Sequence, residues 1–338
     1  MVLVPEDTAV ENKMTKKQSP SSRLKQFFFC LTGLIFWSSP AYAEINIQEN
    51  LGQNVGYLGV GFLLAVIIGV PMFDMIVGKQ VSLKKTLFED DNPAAGLEVG
   101  GFVLGMFFLA YNSVIGEAHE SFLTDVLVAV LSFVVSMLLI FITRKALSAF
   151  VKSNNDGKDL NDEIYVQQNP AAVAVSLSLI IPIMVGLSKE DFLAEDVASL
   201  SIYALVTTAI SLLAVFSFRF SHLRGKSFIV AFFHDDNPAA GVSLLGYSIA
   251  VCYIASQSCD LVLAEQLVVG ETVGLLATIS VGSIVLLGVL RVIFLLMLGL
   301  LNRADIHDEI FAQKNIGAGF IDAGITLGTS LLIMGIFV

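Results

Sequence analysis

Along the chain, apolar residues run almost unbroken in blocks near 54–77, 95–115, 124–143, 170–187, 197–218, 239–258, 272–297 and 316–337, and polar residues gather between them. Each block is close to the roughly 20 residues that a helix needs to cross a bilayer. The pattern therefore predicts an all-α integral membrane protein with eight transmembrane helices.

The residues ahead of the first block predict a targeting signal. Lys13, Lys16, Lys17, Arg23 and Lys25 precede an apolar stretch at 26–37 that is too short to span, and Ala41-Tyr42-Ala43 follows as an A-x-A cleavage site. This divides the chain into a signal peptide at 1–43, a first four-helix repeat at 44–195 and a second at 196–338, with Met14 as an alternative start. Cys30 lacks the small residues of a lipobox and leaves with the signal. Cys252 and Cys259 lie seven residues apart on one predicted helix, too far for a disulfide.

Charge then gives the direction. Only 14% of residues are charged and 55% are hydrophobic, against a soluble average of about 25% charged, so water is not the main solvent. The net charge of −11 argues against a nucleic-acid partner. Alternate connections hold Lys79, Lys84, Lys85, Arg144, Lys145, Lys152, Lys158, Arg219, Arg224, Lys226, Arg291, Arg303 and Lys314, while the opposite ones hold only Lys189. The positive-inside rule places the basic side in the cytoplasm and both mature termini in the periplasm of a bacterial inner membrane. The periplasmic loops are short and acidic, with Glu117, Glu120, Glu190 and Asp191 among their residues. They form either a solvated rim or a cation-attracting mouth.

Asp90-Asp91-Asn92-Pro93-Ala94-Ala95-Gly96 recurs letter for letter as Asp235-Asp236-Asn237-Pro238-Ala239-Ala240-Gly241, 145 residues later. Weaker copies, Asn169-Pro170-Ala171-Ala172 and Asn315-Ile316-Gly317-Ala318, are 146 residues apart. The duplication is thus nested: two inward-and-outward helix pairs make a repeat, and two repeats make the protein. An even number of spans keeps both copies in one orientation and predicts a pseudo-twofold axis along the membrane normal.

A four-helix unit with Asp-Asn-Pro-Ala-Ala-Gly entering its second helix resembles the YjfL-like family of bacterial inner-membrane proteins, catalogued as a domain of unknown function, in two copies over about 50–338. Ile316 and Gly317 depart from the pattern in the last motif. The resemblance implies an inner-membrane protein with a link to envelope stress and supplies no activity.

Asn is a good N-cap and Pro suits the first helical position, so Asn92, Asn169, Asn237 and Asn315 mark four helix starts on the cytoplasmic face, with Asp91 and Asp236 favouring the positive helix ends. Asn-Pro-Ala also occurs in aquaporins, but on half-helices of opposite direction, and here all copies start on one face. Gly96, Gly100, Gly101 and Gly105, with Gly241, Gly317, Gly324 and Gly328, suggest close helix packing. Glu98 lies six residues beyond Asn92 and Asp322 seven beyond Asn315, and the corresponding positions of the other motif helices are Ser176 and Ser243. These four form the candidate intramembrane polar site, either a protonatable or cation-binding pair or two interfacial acids. Asp74 and Arg219, 145 residues apart, are either partners across the axis or separate interfacial charges.

No enzyme constellation, metal-ligand spacing or cofactor motif is present, and His222, His234 and His307 fall in separate connections. Two function classes remain: a small-solute or ion channel or transporter, proton or cation among the candidates, and a non-transporting membrane partner in an envelope or stress assembly. The partners expected are the lipid bilayer and a homo-oligomer or other membrane proteins.

Overall fold

The computed structural model describes residues 56, 59–78, 81–115, 122–187, 209, 212–213, 216–219, 222–223, 225–263, 269–302 and 305–336. The regular structure in these residues is helical. We number the helices α1 (Gly59–Val77), α2 (Leu83–Phe88), α3 (Pro93–Ile115), α4 (Phe122–Asn154), α5 (Asp162–Val166), α6 (Pro170–Leu187), α7 (Val230–His234), α8 (Pro238–Leu263), α9 (Val269–Asn302), α10 (Ile306–Phe311) and α11 (Ile316–Met334). Among the described residues six are long and apolar enough to cross a membrane, in α1, α3, α4, α8, α9 and α11, and α6 is a shorter apolar helix. The expected span at 197–218 and the export signal lie largely or wholly outside the described residues.

The four motifs fold alike. In each, a short helix (α2, α5, α7 or α10) ends at a residue with positive φ: Asp91 (49°), Gln168 (57°), Asp236 (45°) and Lys314 (54°). That turn brings the next N–H back to the carbonyl six residues earlier, Asn92 to Thr86 (3.1 Å), Asn169 to Glu163 (3.0 Å), Asn237 to Ala231 (3.3 Å) and Asn315 to Glu309 (2.8 Å). The closure is one residue wider than the six-to-one bond of the common helix ending, and the left-handed residue reverses the chain as it does there. The Asn side chain then accepts from the first free amides of the following helix: Ala94 and Ala95, Ala171 and Ala172, Ala239 and Ala240, and Gly317. Amides that have no partner inside a helix are thereby satisfied at a cost of one side chain. Proline stands at the first position of α3, α6 and α8, where no N–H is needed.

The motif helices pack in series, α3 on α6, α6 on α8 and α8 on α11. Their amide ends are chained in the same order. Asn92 Nδ2 donates to the carbonyls of Ile164 and Tyr165, Asn169 Nδ2 to that of Phe232, and Asn237 Nδ2 to that of Ile310. All four motif helices therefore start on the same side of the bundle. The long helices lie behind it: α4 packs against both α3 and α6, and α9 against both α8 and α11.

Small residues set the spacing within the row. A Cβ built at Gly101 would meet Leu177 Cδ2 at 2.6 Å, one at Gly241 Ala174 Cβ at 2.8 Å, and one at Gly246 Ala323 Cβ at 2.4 Å. Without a hydrophobic drive between helices in lipid, such close approach supplies the van der Waals contact that holds them. α6 and most of α8 are buried in consequence, while α3 and α11 each keep one open face.

Candidate functional site

Each repeat encloses one carboxylate between its two motif helices. Glu98 on α3 has no exposed surface, and neither has Asp322 on α11. Ser176 on α6 donates its hydroxyl to Glu98 Oε1 at 2.5 Å, and Ser243 on α8 donates to Asp322 Oδ2. The four polar positions singled out in the sequence are thus two adjacent pairs, with carboxylate and hydroxyl exchanged between first and second helix. In the first repeat the acid is on the first motif helix, and in the second repeat it is on the second.

Two arginines complete the clusters. Arg144 on α4 places Nη2 3.0 Å from Glu98 Oε1 and 3.2 Å from Oε2, and donates Nη1 to Asn161 Oδ1 at 2.9 Å. Arg291 on α9 meets Asp322 Oδ1 with Nε at 2.8 Å and Nη2 at 2.7 Å. Both are buried. The charge pattern assigns them to the connections, and that reading is corrected: α4 and α9 are 33 and 34 residues long, and each arginine lies within its helix, Arg144 just past the apolar block and Arg291 inside it, facing the groove behind the motif helices. An isolated carboxylate here would be strongly unfavourable, and the guanidinium with its several fixed donors is suited to match it.

The surroundings of the two clusters differ. Tyr165, at the end of α5, donates its hydroxyl to Glu98 Oε2, and burial pushes this phenol well above its usual pKa, helped by the charge of Glu98. The residue 146 positions later is Phe311, which has no hydroxyl. There His222 stacks on Phe218, with ring centroids 4.0 Å apart, and brings Nε2 to 4.0 Å from Asp322 Oδ2. Burial, then Arg291 and His307, hold His222 well below its ordinary pKa, so it is neutral at pH 7. His307 Nε2 lies 2.8 Å from the His222 carbonyl. The histidines of two connections are therefore neighbours, which their sequence spacing does not show.

Other sequence candidates have local roles. Asp74 accepts the Leu83 amide at 3.2 Å and so anchors α2, while Arg219 is exposed. Glu163, buried between Asn155, Gln167 and Asn169, accepts from all three side chains, and its equivalent Glu309 accepts from Gln313 and Asn315. Cys252 and Cys259 are buried thiols outside any disulfide, and Cys252 Sγ donates to the Pro182 carbonyl at 3.1 Å. Among the described residues no group of three or more His, Cys, Asp or Glu could hold a metal ion.

Sequence reasoning missed Arg144, Arg291 and Tyr165. The signal for the arginines was their spacing: 147 residues separate them, almost the repeat length.

No curated protein and no solved structure matches the chain. A family described as Domain of Unknown Function (DUF350) matches it twice, over 46–188 and 192–337, which covers both clusters and all four motifs. The chain belongs to this DUF350 family and carries two tandem copies of its domain.

Proposed function

We propose that the protein is a proton- or cation-handling channel or transporter of the bacterial inner membrane, with its pathway at the two carboxylate–arginine clusters. The observation that carries this reading is the complete enclosure of Glu98 and Asp322 among membrane helices, each held by an arginine and a serine hydroxyl. Ionisable side chains at such depth are costly and mark ion or proton pathways by default. Buried serines continue from each arginine away from the motif end, Ser136 and Ser132 on α4 and Ser283 and Ser280 on α9. The hydroxyls of Ser136, Ser280 and Ser283 have no hydrogen-bond partner, which suits a polar line open to water or protons.

The reading includes eight spans, the fifth near 197–218, a cleaved signal ending at Ala43, and both mature termini in the periplasm. The halves are related by an axis along the membrane normal. Serial packing of α3, α6, α8 and α11 in one direction supports a common orientation of the two halves, as a pseudo-twofold axis along that normal requires.

A non-transporting role in a membrane assembly is the second reading, favoured by the one-to-one neutralisation of each acid by an arginine. Purified protein in liposomes, assayed for proton and cation flux under imposed gradients, separates the two. Transport requires flux in the wild type, lost in Glu98→Gln and Asp322→Asn variants that remain folded and monodisperse. Absence of flux in the wild type under gradients of either sign refutes the transport reading.

A further inference from the structure

The row of motif helices stops at α11 with the features that elsewhere receive the next helix. Counting from each motif asparagine, the face turned toward the following helix uses the second and ninth residues: Ala239 packs on Gly319, Gly101 on Leu177 and Gly246 on Ala323. The corresponding residues of α11 are Gly317 and Gly324. A Cβ at Gly324, or at Gly328 one turn on, would meet no atom within 4 Å. The receiving face uses the fourth and eighth residues, and on α3 these are Gly96 and Gly100, both partly exposed. A Cβ at Gly96 likewise meets nothing within 4 Å.

The asparagine chain ends at the same place. Asn92, Asn169 and Asn237 are buried and each donates to a carbonyl of the next short helix, in every case the one five residues before the next motif asparagine. Asn315 is exposed, and its Nδ2 donates to Glu309 of its own short helix at 2.8 Å. Asn169 makes the same bond, to Glu163 at 3.0 Å, and uses its second N–H for Phe232 in the next unit. By this register the acceptor matching Asn315 is the Leu87 carbonyl, at the other end of the row.

We propose that copies of this chain join head to tail, α11 of one packing on α3 of the next as α6 packs on α8 within the chain. The occupant of the open face is a second copy because both halves of the missing junction, donor and receiver, are on the same molecule and continue an interface already made three times. The junction is also apolar where it should be. The sixth residue of α6 is Val175, fully buried, and that of α11 is Ile321, 45% exposed. The charged clusters lie inside repeats, and the junctions between repeats carry none. A head-to-tail contact of this kind closes into a ring if its rotation permits.

The test is cross-linking of the full chain in native membranes, with Cys30, Cys252 and Cys259 replaced by Ala. Gly324→Cys and Gly100→Cys occupy the positions of the Gly246–Ala323 contact. A chain carrying both cysteines should give a ladder of covalent oligomers on mild oxidation. Two differently tagged chains carrying one cysteine each should give only the mixed dimer. Leu138→Cys, on the outer surface of α4, paired with Gly324→Cys, is the background control. As a measurement independent of thiols, Gly324→Leu should remain folded and should weaken self-association in nanodiscs by roughly tenfold or more, the effect of about 1.4 kcal/mol of overpacking. A wild type that is monomeric in native nanodiscs, cross-linking no higher than the control, or Gly324→Cys chains that dimerise with themselves would each overturn the proposal, leaving lipid or a symmetric partner on that face.

Discussion

The exchange of acid and hydroxyl between the repeats can be reproduced by mutation. Glu98→Ser removes the carboxylate and leaves Arg144, 3% exposed, with neutral side-chain partners, Asn161 and Tyr165. Breaking one side of a buried ion pair costs about 3–5 kcal/mol, because the other charge stays enclosed and unmatched. Ser176→Asp alone is also unfavourable, since it sets a second carboxylate where a hydroxyl now lies 2.5 Å from Glu98. The double variant Glu98→Ser/Ser176→Asp recreates the Ser243–Asp322 arrangement, and α4 lies between α3 and α6 as α9 lies between α8 and α11. Arg144 should then reach the aspartate on α6 as Arg291 reaches Asp322. The expected coupling energy is about 3 kcal/mol, at the upper end of the range for residues in contact. Reversible unfolding in mixed micelles of mild detergent and dodecyl sulfate measures all four corners of the cycle. If the double variant is as unstable as the two single effects added, the clusters are not equivalent sites and the exchange is an accident of drift.

His222 titrates below 6.5, so the unfolded chain takes up its proton first. The stability it protects is complete above about pH 6.5 and falls as the pH drops below that, and His222→Gln should flatten this acid limb in pH-dependent melting. Asn237→Ala should cost about 1–2 kcal/mol for the cap and more for the Ile310 carbonyl it leaves, whereas Asn315→Ala in the isolated chain should lose only the cap and the exposed Glu309 bond. Tyr165→Phe makes the first cluster resemble the second; it removes a hydrogen bond to a charged group worth about 1.5–3 kcal/mol while Arg144 and Ser176 remain on Glu98, so stability should fall without loss of the fold.

The helix starts were legible because Asn-Pro and its copies are local signals, in which a cap and an imino acid act within three residues of each other. Glu98, Asp322, Ser176 and Ser243 were legible through register alone. Their pairing was not, since it depends on consecutive motif helices being neighbours, which repeat length does not specify. Arg144 and Arg291 were misplaced for a physical reason: each basic residue near the end of an apolar block was assigned to the connection beyond it, yet the helix continues through both and buries the charge where a carboxylate waits in the groove. The relation of α11 to α3 could not be read from the sequence either, because a duplicated chain is compatible with either a closed pair or an open row.

The two clusters impose opposite histories on the chain as it is made. Glu98 is synthesised 46 residues before Arg144, a delay of about 2–9 s at ordinary rates of roughly 5–20 residues per second. In the second half Arg291 is made first and Asp322 follows 31 residues later. A nascent α3 entering the bilayer alone therefore carries an acid with no base, a cost removed when it inserts together with α4 as a hairpin. The nascent α9 carries a base on a long side chain that can reach the lipid headgroups until its acid arrives. Insertion of the first repeat is thus the step most sensitive to any pause in translation between α3 and α4.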